Sequence, residues 1–291
     1  MLVSILINGL VSGGVYAILA IGFSLIFGVA KILNMAHTAF YMITAFFMIA
    51  LTTIVFELPV EVAAVISIFL AGILGVICYK LCFDRVKVHE TAVMIISVAI
   101  AMLFEETVLL TFGGQYQRVP PFIEGYFDIA DVSVVNQHFF TAGASVLTLV
   151  GVWLLLSRTK LGKAIRAVDQ DQEMANVMGI DVSKTSMQVM GISVVLAGVA
   201  GAVTAPSIMV SPLMWVNPLV IVLSAVVLGG LGSIKGSAIA AFILGYAETL
   251  VVFLVPDGSF LRGAVSLVAM VLVLLIRPEG LFGVAFEEER L

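Results

Sequence analysis

Apolar residues in this chain come in long unbroken runs, and polar residues collect between them. Runs of about 20 residues, the length that carries a helix through a bilayer core, fall near 3–29, 36–56, 60–80, 91–112, 139–157, 186–206, 217–230, 237–255 and 261–276. The pattern predicts an all-α polytopic membrane protein with eight to ten transmembrane helices. Two interruptions soften the count. The first run meets Gly28, Lys31, Asn34 and His37 before the second begins, and the short 217–230 run ends in Gly229-Gly230-Leu231-Gly232-Ser233. Short or glycine-interrupted segments at corresponding places in two halves point to broken or re-entrant helices and an internal inverted repeat around a midplane pathway.

Composition agrees. Of 291 residues, 62% are hydrophobic and 11% charged, and the mean hydropathy is +1.20. A soluble domain carries about a quarter charged residues, so this chain cannot cover itself with polar surface, and lipid must serve as its solvent. The loops leave no room for a separate soluble domain. Residues 1–291 therefore read as a single transmembrane domain. The opening Met1-Leu2-Val3-Ser4 lacks a basic leader, so the first run is expected to remain as a span.

Charge sets the expected orientation, because cytoplasmic loops collect Lys and Arg. Lys80, Arg85 and Lys87 share one loop. Arg158, Lys160, Lys163, Arg166 and Lys184 share another, an even number of spans away. The alternate stretch 113–138 has Glu124, Asp128 and Asp131 against Arg118, and 207–216 has no charge. Lys31, Lys235 and Arg277 fit the same scheme, with Arg118 and Arg262 as its exceptions. The N-terminus is predicted outside and the C-terminus in the cytoplasm. No basic stripe suits nucleic acid.

Small residues recur at four-residue spacing inside the spans: Gly9 and Gly13, Ala197-Gly201-Ala205, and Ala241 with Gly245. They predict close helix packing where hydrophobicity gives no drive between helices. Cys78 and Cys82 fit neither a redox CxxC nor a zinc site and read as buried thiols. His37, His89 and His138 are widely separated, and neither HExxH nor paired carboxylates occur inside the spans. The chain thus offers no catalytic residues, metal site or cofactor site. It also lacks GxxxxGK[ST], so any ATP-driven step needs a phosphate cradle on another chain.

The basic loop 158–185 carries the most specific pattern. Asp169 followed by Gln172 reads as a capping box with Asp169 as N-cap, and Asp171 and Glu173 suit a first turn. Gly179 stands where a left-handed residue would stop the helix. The expectation is a helix of about nine residues, with Met174, Val177 and Met178 on one face. Such a ridge suits another protein's groove, or else a resting place on the membrane or the bundle.

Glu173-Met174-Ala175-x-x-x-Gly179 resembles the EAA-x-x-x-G loop of ABC importer permeases, and the segment Arg166 to Ile180 resembles the branched-chain amino-acid permeases of the LivH type. The resemblance extends along the chain. Asn8-Gly9-Leu10 leads to Tyr16-Ala17, and Leu33-Asn34-Met35-Ala36-His37 is followed by Tyr41-Met42. The turn Leu228 to Ile234 and the segment Arg277-Pro278-Glu279-Gly280-Leu281-Phe282-Gly283 complete it. This likeness implies a permease subunit in a prokaryotic cytoplasmic membrane. Its implied partners are ATP-binding cassette subunits, a sister permease or second copy, and an extracytoplasmic solute-binding protein. Asp169, Glu173, Met174, Ala175, Val177, Met178 and Gly179 would couple it to the ATPase. Thr38, Lys235 and Glu105-Glu106 depart from the family pattern and bear on the solute, so urea or short amides stand beside branched-chain amino acids.

Polar residues within the spans are the candidates for a pathway. Asn34 and His37 sit at the predicted break, where they either line a path with Tyr41 or satisfy backbone groups freed there. Glu248 is an ionisable group within a span, and it is the residue on which an ion-coupled secondary transporter, the main rival reading, would have to rely.

Overall fold

Backbone amides inside a bilayer must be satisfied within the protein, which helices accomplish. The computed structural model describes residues 2–86, 89–129, 132–277 and 279–282. Lys87, Asp131, Pro278 and Gly283, which entered the sequence patterns, lie outside them. Helix α1 (Leu2–Ala30) is followed by α2 (His37–Ile49), which runs on through a wide π turn, Ala50–Ile54. Then come α3 (Val60–Cys78), a second π turn (Tyr79–Phe83), α4 (Asp84–Val86) and α5 (Glu90–Phe112). A hairpin of β1 (Tyr126–Ile129) and β2 (Val132–Val135) precedes α6 (Asn136–Arg158). Two short helices, α7 (Lys160–Gln170) and α8 (Gln172–Val177), lead to α9 (Val182–Thr204). The chain continues through α10 (Val216–Gly229), α11 (Ile234–Leu254) and α12 (Arg262–Ile276).

Each predicted span is occupied by a helix. Eight helical segments among the described residues are long and apolar enough to cross a membrane, and the 14-residue α10 is not. At 1.5 Å per residue α10 covers only about 21 Å, in keeping with its short apolar run.

The core sits where α1, α2 and α9 meet. Phe23, Phe40, Phe46, Ile18, Leu19 and Ile26 are fully buried there. Glycine lets the backbones approach: a Cβ on Gly245 would stand 2.5 Å from the Gly13 nitrogen. The first and third small-residue seams are therefore two sides of one α1–α11 contact. Gly201, from the second seam, faces the Tyr41 carbonyl. By contrast α12 leaves much of its apolar surface exposed, and Ser266 is its one buried residue among those described.

The hairpin is the exception to an all-helical chain. Tyr126 lies opposite Val135 and Ile129 opposite Val132, a run of aromatic and β-branched residues that suits a pleated strand. Its base is fixed by Phe122 N donating to Gln137 Oε1 (3.0 Å) and Asn136 Nδ2 to the Glu124 carbonyl (2.9 Å). At the far end of the bundle, Leu281 N donates to the Leu228 carbonyl (2.8 Å) and Phe282 N to that of Gly229 (3.2 Å). The two late sequence motifs thus meet. Lys31, Lys80, Arg85, Lys160, Lys163, Lys184, Lys235 and Arg277 gather at this end, and Arg118 and Arg262 lie at the other.

Candidate functional site

The loop between α6 and α9 lies at the basic end. Thr159 starts α7, its hydroxyl accepting from Gly162 N (2.9 Å). At Asp171 the backbone is extended (φ −158, ψ 113), which ends α7 and opens α8. Asp171 Oδ1 accepts from Glu173 N (2.9 Å) and Met174 N (3.0 Å). The N-cap is therefore Asp171, not Asp169, and α8 has six residues instead of about nine. Asp169 lies in the last turn of α7, and the Gln172 amide does not reach back to cap: it donates from Nε2 to the Val29 carbonyl at 2.8 Å. A tertiary partner has displaced the capping box.

The other end of α8 follows expectation. Gly179 has φ +85, with its N bonded to the Asn176 carbonyl and Ile180 N to that of Ala175, both at 3.0 Å. That pair of bonds is the Schellman closure, and it needs a left-handed residue at Gly179. Met174, Val177 and Met178 are 59%, 79% and 78% exposed, whereas Ala175 is 4% exposed. The helix turns an apolar ridge outward and its small residue inward. Glu173 occupies the first turn. Asp169 Oδ1 lies 3.9 Å from Lys31 Nζ. Burial pushes the Asp169 carboxyl above the usual range, and the Lys31 cation partly opposes this.

A cavity of about 670 Å³ lies at the opposite end, lined among others by Asn8, Ser12, Tyr16, Tyr41, Asn217 and Arg262. A chamber of about 150 Å³ shares Asn8, Ser12, Tyr16 and Arg262 with it and adds Glu248, Val252 and Phe253. Glu248 is 3% exposed. Its Oε2 accepts from the Tyr16 hydroxyl (3.0 Å) and its Oε1 from the Ser266 hydroxyl (2.8 Å). Two hydroxyl donors from different helices hold the carboxylate while one edge borders the chamber.

Asn34 and His37 line neither space. Both are fully buried. His37 Nε2 lies 3.0 Å from the Leu19 carbonyl, which places the hydrogen on Nε2. Nδ1 is then the acceptor, 3.2 Å from Ser193 Oγ, a hydroxyl shared with the Gly22 carbonyl at 2.8 Å. Asn34 Oδ1 accepts from Ala36 N (3.1 Å). These two residues knit the break between α1 and α2, one layer behind the cavity wall that Leu19 helps form. Of the predicted pathway residues, Tyr41 and Glu248 border the two spaces.

Sequence reasoning missed Tyr16, Ser266, Gln172 and Arg262. Gln172 was read only as a capping partner, Tyr16 only as part of a family segment, and Arg262 only as a cation on the side where basic residues are rare; Ser266 left no signal. Glu105, a departure from the family pattern, accepts from Trp215 Nε1 at 2.9 Å. Cys78 is buried and Cys82 half-buried, both as free thiols.

A family model described as branched-chain amino acid transport system / permease component matches residues 5–275. The high-affinity branched-chain amino acid transport system permease protein BraD of Pseudomonas aeruginosa is 25% identical, covering 96% of this chain and 94% of its own length. LivH of Escherichia coli K12 is 26% identical over 95% and 94% of the two chains. A probable LivH of Methanocaldococcus jannaschii is 26% identical over 98% and 93%. Among solved structures, PsaBC from Streptococcus pneumoniae in complex with Fab matches with a TM-score of 0.54 at 17% identity, covering 94% of this chain and 92% of that one. That last likeness is one of fold.

Proposed function

The chain belongs to the family of permease components of branched-chain amino acid transport systems, and from that premise we propose how it works. It is the membrane-spanning subunit of an ATP-driven importer. It takes branched-chain amino acids, or a closely related small polar solute, from an extracytoplasmic binding protein. ATP is hydrolysed on separate cassette subunits, and a sister permease or second copy completes the membrane part. Residues 1–291 act as one permease domain in a prokaryotic cytoplasmic membrane, with 158–185 as the coupling loop. The basic end faces the cytoplasm and the cavity opens outward, toward the binding protein.

One observation carries the coupling role. The closed, capped α8 exposes Met174, Val177 and Met178 to the side where the ATPase would sit, with none of the described residues covering them. Asp169, Glu173, Ala175 and Gly179 shape and seat that helix. On the solute side, Arg262 suits a carboxylate, Glu248 an ammonium group, and Val252 with Phe253 an apolar side chain. Tyr41 borders the way in, and Asn34 and His37 brace the wall behind it.

The test is Met174→Asp or Met178→Asp. A carboxylate forced into an apolar groove without a partner costs more than the roughly 2–7 kcal/mol of a neutral polar group. Because the ridge lies outside the bundle, such variants are expected in the membrane at near-normal levels. They should lose the ATPase subunit on affinity purification and import nothing. Variants that keep both the ATPase and solute-stimulated hydrolysis would sink the reading.

A further inference from the structure

The coupling loop is fastened at a third point besides its chain connections to α6 and α9. Gln172 opens α8, and its Nε2 donates to the Val29 carbonyl at 2.8 Å. Val29 lies in the last turn of α1, where carbonyls lack helical partners. Two residues on, Lys31 turns the chain with φ +55 and places Nζ 3.9 Å from Asp169 Oδ1. Just before Val29, a Cβ on Gly28 would stand 2.6 Å from that same oxygen, so the absent side chain is what lets Asp169 lie against α1. Three contacts from the end of α7 and the start of α8 thus converge on residues 28–31.

The faces of α8 divide the work. Met174, Val177 and Met178 point away, and Ala175, one turn after Gln172, is buried. Gln172 therefore lies toward the bundle, opposite the ridge. At its other end α1 lines the cavity with Asn8, Ser12 and Tyr16, and Tyr16 holds Glu248. At that same end, Gly13 packs α1 closely against α11, the helix that carries Glu248. A helix whose turns are tied by hydrogen bonds moves as a rod.

We propose that Gln172 and Asp169 form a joint with Val29 and Lys31 that makes α1 the rod carrying displacement of α8 to the solute cavity. This rests on α8 being the ATPase-docking helix. Gln172 and Asp169 are positioning residues: they need touch neither solute nor nucleotide, and they set what the docking helix pulls on.

The test uses the assembled transporter in proteoliposomes, comparing solute imported with ATP hydrolysed. Gln172→Ala leaves the exposed ridge intact, so the ATPase subunit is expected to co-purify in normal ratio and hydrolysis to persist. Solute imported per ATP should fall about tenfold, within the span common for coupling between two sites. An unchanged ratio of import to hydrolysis overturns the joint. Loss of the ATPase subunit overturns it too, because Gln172 would then be holding the docking helix itself. Met178→Asp runs beside it: if that variant keeps the ATPase, the failure lies with the docking assignment instead. A second variant is independent of Gln172. Lys31→Cys with Asp169→Cys, in a background lacking Cys78 and Cys82, is joined by a short bis-methanethiosulfonate. Unlinked, this pair lacks the Lys31–Asp169 contact and should import less solute per ATP than the parent. The short linker, by remaking the joint, should restore the ratio, and no loss in the unlinked pair overturns the proposal. Import that stops on linking and returns with reductant shows that the two parts must slide past each other, and defeats the proposal.

Discussion

Glu248 shows how a carboxylate is kept inside a membrane span. An isolated charge there is costly, and here each oxygen has a hydroxyl donor, from Tyr16 and from Ser266. Ser266 is the one buried residue described on α12, so its polar group is placed where nothing else on that helix reaches inward. A hydrogen bond to a charged group contributes about 1.5–3 kcal/mol. Ser266→Ala should therefore lower the thermal midpoint of the detergent-purified protein. Glu248→Gln keeps the shape and can still hydrogen-bond, but removes the charge that suits an ammonium group, and import should fall about tenfold if one ionic contact worth roughly 1.4 kcal/mol is lost. Normal import by an assembled Glu248→Gln complex would return Glu248 to a structural role. The charge within a span was legible in the sequence. Its donors were not, because Tyr16 is an ordinary residue 232 positions away. The same limit explains Asp169. Two aspartates two residues apart compete to cap one helix, and local pattern favoured the one with Gln172 three positions on. That glutamine was already committed to Val29, a contact made across 143 residues.

Among the elements, two glycines that look alike in sequence do different work. Gly179 has φ +85 and nothing within 4 Å of where a Cβ would be. A β-branched residue there meets only backbone strain, on the order of 1–2 kcal/mol. Gly245 has Gly13 in the way, and filling a packed contact costs about 1–3 kcal/mol or more. Gly179→Val should thus reach the membrane normally and lose the ATPase subunit, whereas Gly245→Val should reduce the folded protein itself. Immunoblots of membranes paired with co-purification separate the two, and the reverse pattern would contradict both assignments. Long helices were readable because hydropathy over 20 residues outweighs local detail. The hairpin and the π turns after α2 and α3 were not, since each depends on a few residues with no strong period. The short α10 was foreseen only as an anomaly in run length.

For the whole molecule, the consequence of the fold is that the exposed ridge of α8 and the two polar cavities occupy opposite ends. Tyr16, Glu248 and Arg262 border spaces at one end, and α7 and α8 lie with Lys31, Lys160, Lys163 and Lys184 at the other. Basic residues near span ends favour the cytoplasmic side, so the proposed orientation has the cavity outward and α8 inward. Single cysteines test this in a background without Cys78 and Cys82. Asp128→Cys sits on the exposed hairpin and Lys163→Cys on exposed α7. An impermeant maleimide applied to intact cells should modify the first, and should reach the second only after the membrane is opened. Both positions are exposed in the fold, so a difference in labelling reports the membrane and not burial. The opposite result would place the cavity in the cytoplasm and the ridge of Met174, Val177 and Met178 outside, away from ATP. No import cycle could then run through α8, and both the docking helix and its link to α1 would have to be abandoned together.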